Sequence, residues 1–245
     1  MRKIRSFWGV CKLIFITLDV STRTVVQYWR GPLKMTRAWT DKAIRSWSRR
    51  LLNAAKVDLR IHDERPIQLE PGRSYIVMCN HTSHLDIPIS LLAFPHLSLR
   101  MLAKKELFGV PWFGKAMLAA DFPMIDRTNR RQSLKDLAHA RELMQSGIVV
   151  WVAPEGTRST TGKLGEFKRG AFLRAVDAKA MIIPMNIRGA EKILPAQSFA
   201  LNLGERVDVF IGEPIDAAQY TSAQKDELLE KVQEAIINLS NGRGE

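Results

Sequence analysis

Cysteine is scarce. Cys11 and Cys79 are the only two in 245 residues, too few for a disulfide framework, so the chain reads as a protein of a reducing compartment. Histidine is nearly as sparse, and His62, His96 and His139 stand in no recognisable metal-ligand spacing. No apolar run reaches the roughly 20 residues of a transmembrane helix. Phe7 to Val20 comes nearest, broken by Lys12 and Asp19. Arg2, Lys3 and Arg5 would suit the basic start of a signal peptide, but no small-residue cleavage site follows. Repeats, low-complexity segments and long linkers are lacking too, which leaves one large α/β domain with or without an appendage. Acidic residues are missing from one region: residues 1–60 carry 3 Asp and Glu against 14 Lys and Arg, while residues 61–245 carry 22 against 23. Nearly all of the formal net charge of +12 therefore lies in the first quarter of the chain. Nucleic acid would want that charge joined to a recognition element, and none is present, whereas an anionic membrane surface wants basic amphipathic helices.

What is there begins with such a pattern. After the Gly31-Pro32 break, Met35, Trp39, Ala43, Trp47 and Leu51 recur at steps of four, with Ile44 and Leu52 on the same face and Lys34, Arg37, Lys42, Arg45, Arg49 and Arg50 around the rest. Trp8, Trp29, Trp39 and Trp47 suit the headgroup level of a bilayer. Residues 1–56 are thus expected to form a membrane-associated helical pair, in competition with a pair packed on the domain's own core. From residue 57 to 245, strand candidates (Leu59 to His62, Tyr75 to Cys79, Leu99 to Ala103, Phe122 to Ile125, Ile148 to Val152, Met181 to Ile187, Val207 to Ile211) alternate with helix candidates (Asp86 to Ala93, Trp112 to Ala119, Arg131 to Gln145, Phe167 to Val176, Gln224 to Ser240). That alternation implies an α/β fold with a mostly parallel or mixed sheet.

Chemistry concentrates at predicted strand ends, where open α/β sheets bind ligands. The buried run Tyr75-Ile76-Val77-Met78-Cys79 leads into Asn80-His81-Thr82-Ser83-His84-Leu85-Asp86. Positions i and i+5 point about 140° apart on a helix, so His81 and Asp86 meet only if His81 lies in the turn and Asp86 in the first turn of the next helix. Ser83-x-x-Asp86 is a weak capping pattern for that helix, and Pro88 is tolerated in a first turn. A carboxylate can then orient His81 as a general base. His81, His84 and Asp86 are alternatively ligand types for a metal-dependent hydrolase. Further along stand Met124-Ile125-Asp126-Arg127, Pro154-Glu155-Gly156-Thr157-Arg158-Ser159 and Phe167-Lys168-Arg169-Gly170. Arginine is the preferred fork for phosphate, with Glu155 able to fix that fork or accept a hydroxyl. No Gly-x-Ser-x-Gly elbow is present to suggest a covalent acyl-enzyme.

His81-x4-Asp86, Ile125-Asp126-Arg127, Glu155-Gly156-Thr157-Arg158-Ser159 and Ile182-Ile183-Pro184-Met185 resemble, in order and spacing, the four motifs of the glycerolipid acyltransferases, the bacterial 1-acyl-sn-glycerol-3-phosphate enzymes above all. The likeness covers roughly residues 57–215. It implies an acyltransferase domain behind a basic helical pair, and transfer of an acyl chain from acyl-coenzyme A or acyl-carrier protein to the sn-2 hydroxyl of lysophosphatidic acid, without a cofactor, with the same chemistry on another lysolipid acceptor as the alternative. By that likeness His81 is the base and Asp86 its partner, and Arg158, Glu155, Gly156, Thr157 and Arg127 bind the glycerol phosphate. Lys104 or Lys105 adds a further charge, and Pro184 shapes the acyl or oxyanion region. His84 falls at a variable position and receives no catalytic role. Expected partners are the lysophospholipid, an anionic membrane surface and acyl-carrier protein. The expected location is peripheral, on the cytoplasmic face of the inner membrane.

Overall fold

The computed structural model describes residues 2–31, 33–62, 67–198 and 200–241. Pro32 of the Gly31-Pro32 break and the side chains of Arg2, Lys3, Arg5 and Arg130 lie outside the described residues. Two helices come first, α1 (Arg2–Trp29) and α2 (Arg37–Ala54). Thr36 caps α2, its hydroxyl accepting from the Trp39 amide at 3.2 Å. There follow β1 (Asp58–His62), β2 (Tyr75–Cys79), α3 (Asp86–Ala93), β3 (Leu99–Met101), β4 (Ala103–Lys104), α4 (Lys105–Phe108), α5 (Phe113–Ala119), β5 (Met124–Ile125), α6 (Arg130–Gln145) and β6 (Val149–Val152). The chain then runs through α7 (Arg169–Asp177), β7 (Met181–Arg188), α8 (Ala190–Ile193), β8 (Arg206–Ile211), β9 (Ile215–Asp216) and α9 (Lys225–Asn241).

Six strands follow the spatial order β1-β8-β7-β2-β6-β3, with β9 beside β7. β2 pairs in parallel with β6 and β7, and β7 pairs antiparallel with β8, so the sheet is mixed. Every residue of β2 is buried, as its apolar, β-branched run requires of a central strand. Two cores result, one on each face. Val77, Cys79, Ile183 and Met185 pack against α1, α2 and α3, while Ile76, Met78 and Ile182 pack against α7 and α9.

Several boundaries differ from expectation for local reasons. The segment 99–103 is two strands because the Leu102 amide donates to Trp151 and the Ala103 amide to Pro123, so the chain changes partners there. Phe122 is not in a strand; its amide closes the turn after α5 on Met117. α7 starts at Arg169 because the Lys168 amide is drawn to the Pro154 carbonyl at 2.8 Å, holding Lys168 extended.

The helical pair shares the first core. Leu13 and Ile16 of α1 and Ile44, Leu51 and Leu52 of α2 are buried in it. Trp47 points inward and donates to Thr17 Oγ1 at 3.1 Å. Asp41 of α2 ion-pairs with the fully buried Arg100 at 2.8 Å and accepts from Ser98 Oγ at 2.6 Å. The apolar face of α2, read from sequence as a membrane face, is therefore used by the domain itself. The exposed apolar face belongs to α1, with Phe7, Trp8, Phe15, Leu18 and Trp29, continued by Trp112 at a 5.9 Å ring separation from Trp29. No helix among the described residues is long and apolar enough to cross a membrane.

Candidate active site

β2 ends at Cys79, and the next residues turn across the sheet's carboxyl edge. Asn80 copies a strand residue with its side chain: Nδ2 donates to the Ile187 carbonyl and Oδ1 accepts from the Ile187 amide, at 2.9 and 2.8 Å. That clamp fixes where His81 emerges. His81 Nδ1 lies 2.8 Å from Asp86 Oδ2, the pairing that a turn followed by a helix was expected to allow. The same oxygen accepts from the Thr82 and Ser83 amides at 2.6 and 2.8 Å. Asp86 is fully buried in the first turn of α3, where the helix dipole also favours a carboxylate. With Nδ1–H spent on Asp86, the His81 lone pair sits on Nε2, the arrangement a general base needs. The ring leans edge-on against Trp151 at 5.5 Å, leaving the His81 side chain 18% exposed. Ser83 is not the helix cap expected of it. Leu85 occupies that position, and the Ser83 hydroxyl donates to the Leu194 carbonyl at 2.7 Å.

Glu155 departs from the role the resemblance implies. It is buried, its Oε1 accepting from the His81 amide at 3.0 Å and its Oε2 from the Gly165 amide at 2.7 Å. Both oxygens face backbone, so Glu155 holds the His81 turn against the loop 156–168. Burial pushes its carboxyl above the ordinary value, opposed by those two amides. Gly165 suits this approach, since a Cβ would stand 2.9 Å from Glu155 Oε2 and push that carboxylate aside. The Ser159 amide adds a third stitch, donating to the His81 carbonyl at 2.7 Å.

The cations gather on the same loop. Gly156 turns the chain at φ +74°, which favours glycine, and its carbonyl accepts from Arg127 Nη1. Arg127 and Thr157 are exposed, and Arg158 is half-buried with Nη1 2.6 Å from His84 Nδ1. His84, given no role from sequence, thus lies against the arginine best suited to an anion. Burial and then the Arg158 charge hold its imidazole below the ordinary value. Lys104 is exposed at the end of β4. Lys105 is committed elsewhere, its Nζ 2.9 Å from Asp126 Oδ2. Asp126 also accepts from the Thr128 hydroxyl and amide, and these bonds with Lys105 hold its carboxyl far below the usual carboxylate range. Asp126 is therefore the organiser of the turn that carries Arg127. Pro184 does not reach the site: it pairs with Met78 inside the sheet, and its carbonyl accepts from the Gly212 amide on the α9 side.

Sequence reasoning missed Trp151, Gly165, the His84–Arg158 contact and the contacts of Ser159, which it quoted only as the end of a motif. Only Trp151 carried a usable signal, as an aromatic residue on the strand running into Glu155. Among the described residues no three His, Cys, Asp or Glu groups converge to hold a metal ion.

Comparison with known proteins points the same way. A family model described as Acyltransferase matches residues 58–188, more than half of the chain. The chain is 33% identical over 144 residues to the chloroplastic 1-acyl-sn-glycerol-3-phosphate acyltransferase LPAT1 of Arabidopsis thaliana, a match covering 59% of this chain and 40% of the relative. It is 30% identical over 172 residues to a probable 1-acyl-sn-glycerol-3-phosphate acyltransferase of Mycoplasma pneumoniae, covering 66% and 64% of the two chains. The chain thus spans less than two-thirds of these relatives' lengths. The crystal structure of the 1-acyl-sn-glycerophosphate acyltransferase PlsC from Thermotoga maritima is similar with a TM-score of 0.82 at 26% identity, over the whole of both chains. The His81–Asp86 pair lies inside the matched segment, and the chain belongs to the acyltransferase family.

Proposed function

We propose that this protein transfers an acyl chain from a thioester, acyl-coenzyme A or acyl-carrier protein, to the sn-2 hydroxyl of lysophosphatidic acid, forming phosphatidic acid. The observation that carries the reading is His81 Nδ1 held by a buried Asp86 at the end of a central strand, beside a loop bearing Arg127 and Arg158. His81 Nε2 takes the hydroxyl proton as the oxygen attacks the thioester carbonyl. The C–S bond breaks, the ester C–O bond forms, and the proton passes to the departing thiolate. Asp86 stabilises the imidazolium in between. Arg158 and Arg127 bind the phosphate monoester by charge-assisted hydrogen bonds, with Lys104 as an outer charge. The relatives named above act, by their names, on the same class of acceptor.

An apolar cavity of about 60 Å³ lies between α1, α2 and α5, lined by Val20, Trp47, Met101, Phe113 and Phe122 among others. Met101 pairs with Trp151, which touches His81. The exposed face of α1, with Trp112, rests on the bilayer with its tryptophans at headgroup level, and the basic flanks suit the anionic cytoplasmic face of an inner membrane. Lipid then enters from the α1 side without crossing water.

The test is thioester consumption by purified protein in detergent with lysophosphatidic acid or lysophosphatidylcholine as acceptor, each with Arg158→Ala alongside. Turnover on the phosphate monoester, with a raised acceptor KM in the variant, supports the reading. Turnover on the choline lipid alone contradicts it.

A further inference from the structure

A cleft of about 680 Å³ does not contain His81 but begins at its neighbour Asn80. That volume lies within the range of ligand clefts. Its floor is the carboxyl end of β2 and β7, from Asn80 and Asn186 to Gly189, and its walls are Gly162–Leu164, Glu191 and Lys192 of α8, Arg206 and Asp208 of β8, and Ile236 and Ser240 of α9. Carboxyl ends of strands are where open α/β sheets receive ligands.

Three observations say what belongs there. First, the cleft is basic at its outer end. Lys163 and Lys192 are exposed and form no ion pair among the described residues. Arg188 is held over the Phe210 ring at 4.7 Å and donates to the Ser240 carbonyl, and Arg206 pairs with Asp208. Second, its inner end is polar and unsatisfied. Asn186 is 5% exposed, and its Oδ1 is buried with no hydrogen-bond partner among the described residues. An orphaned acceptor of this kind wants an N–H from a ligand. Third, the cleft opens on the α9 face of the sheet. Asn80 and Asn186 alternate with Cys79 and Met185, which face α1 and α2. A ligand there comes from the side of the sheet opposite the exposed apolar helix.

We propose that this cleft binds the phosphopantetheine arm of the acyl donor, the amide-bearing phosphodiester chain common to coenzyme A and acyl-carrier protein. The inference rests on the thioester reading above and assigns it a second, separate subsite. Antiparallel register puts Asp208 opposite Arg188, so Arg206 lies about four strand residues, roughly 13 Å, beyond Asn186. An extended arm bridges that span: its phosphate meets Lys163, Lys192 and Arg206, its amides meet Asn186, and its sulfur end reaches the end of β2 where His81 stands. The wall is stitched to the catalytic turn, since Ser159 donates through its amide to His81 and through its hydroxyl to the Lys163 carbonyl at 2.6 Å. Lipid acceptor and water-soluble donor then approach His81 from opposite faces of one sheet.

The experiment compares kcat/KM for palmitoyl-coenzyme A, palmitoyl-acyl-carrier protein and the phosphate-free palmitoyl-N-acetylcysteamine, in wild type and in the Lys163→Glu/Lys192→Glu double variant. Both lysines are exposed, so the variant is expected to unfold at the wild-type temperature. The preference of wild type for phosphate-bearing over phosphate-free donors should fall by about tenfold or more, through the donor KM. An equal fall for both carrier thioesters assigns the contact to the shared phosphodiester, and a fall confined to palmitoyl-coenzyme A assigns it to the nucleotide phosphates. An unchanged preference overturns the cleft as the donor site. Failure of wild type to consume any thioester overturns instead the function on which the inference rests.

Discussion

Glu155 gives the sharpest contrast between a motif's implied role and a structural one. If it bound the glycerol phosphate head, its replacement would raise the acceptor KM and leave folding alone. The structure instead has it accept from the His81 and Gly165 amides at 3.0 and 2.7 Å while buried. Glu155→Ala leaves both half-buried donors unpaired, at about 1–3 kcal/mol each for full burial. Removing the carboxylate also relieves the burial cost that raises its pKa, so the net loss falls near the lower half of that sum, roughly 2–4 kcal/mol. For a chain of this size, 1 kcal/mol moves Tm by about 2–4 °C, so the expected drop is about 4–16 °C. Glu155→Gln keeps the volume and one acceptor but turns an NH2 toward one amide, and should lose about 1–3 kcal/mol. Calorimetry with steady-state kinetics reads both effects. Loss of Tm and of kcat, with the lysophosphatidic acid KM within about twofold, agrees with the clamp. A raised acceptor KM at unchanged Tm in Glu155→Gln refutes it.

Other outcomes follow from the same contacts. Asp86→Asn should cut kcat by about 10²–10⁴-fold, because it disturbs the His81 tautomer; a variant within fivefold of wild type contradicts the pairing as catalytic. Trp8→Glu/Phe15→Glu on the exposed face of α1 should weaken co-sedimentation with anionic vesicles by at least about tenfold at unchanged Tm; full sedimentation argues against α1 as the membrane face. His84 has a folded pKa below its ordinary value, so between that lowered pKa and about pH 6.5 the unfolded state binds more protons, and stability is lost as pH falls through that window. His84→Gln should flatten the decline in unfolding midpoint between about pH 7 and pH 5. A decline as steep as in wild type rules His84 out as its source.

The His81–Asp86 contact was legible because a buried β-branched run, a turn and a first-turn carboxylate five residues on leave few geometries. The mixed sheet followed from the same alternation. The contacts of Glu155 were not legible because its partners are backbone amides at His81 and Gly165, which have no side-chain signature. The Lys105–Asp126 ion pair was not legible because β4–β5 pairing brings together residues 21 apart in the chain. The step-of-four stripe on α2 was ambiguous in principle, since a domain core and a bilayer demand the same periodicity. What separated them was the buried Asp41–Arg100 pair. For that reason deletion of residues 1–56 would strip part of the core as well as the exposed apolar face of α1. The donor cleft is spread over five segments, from Asn80 to Ser240, and no local pattern announces it.

The central claim is direct acyl transfer with His81 as the base. The measurement closest to it is thioester consumption with lysophosphatidic acid by wild type and His81→Ala, both shown folded by calorimetry. The account predicts phosphatidic acid as product and a kcat loss of about 10²–10⁴-fold in the variant. His81→Ala turning over within a few-fold of wild type would contradict it.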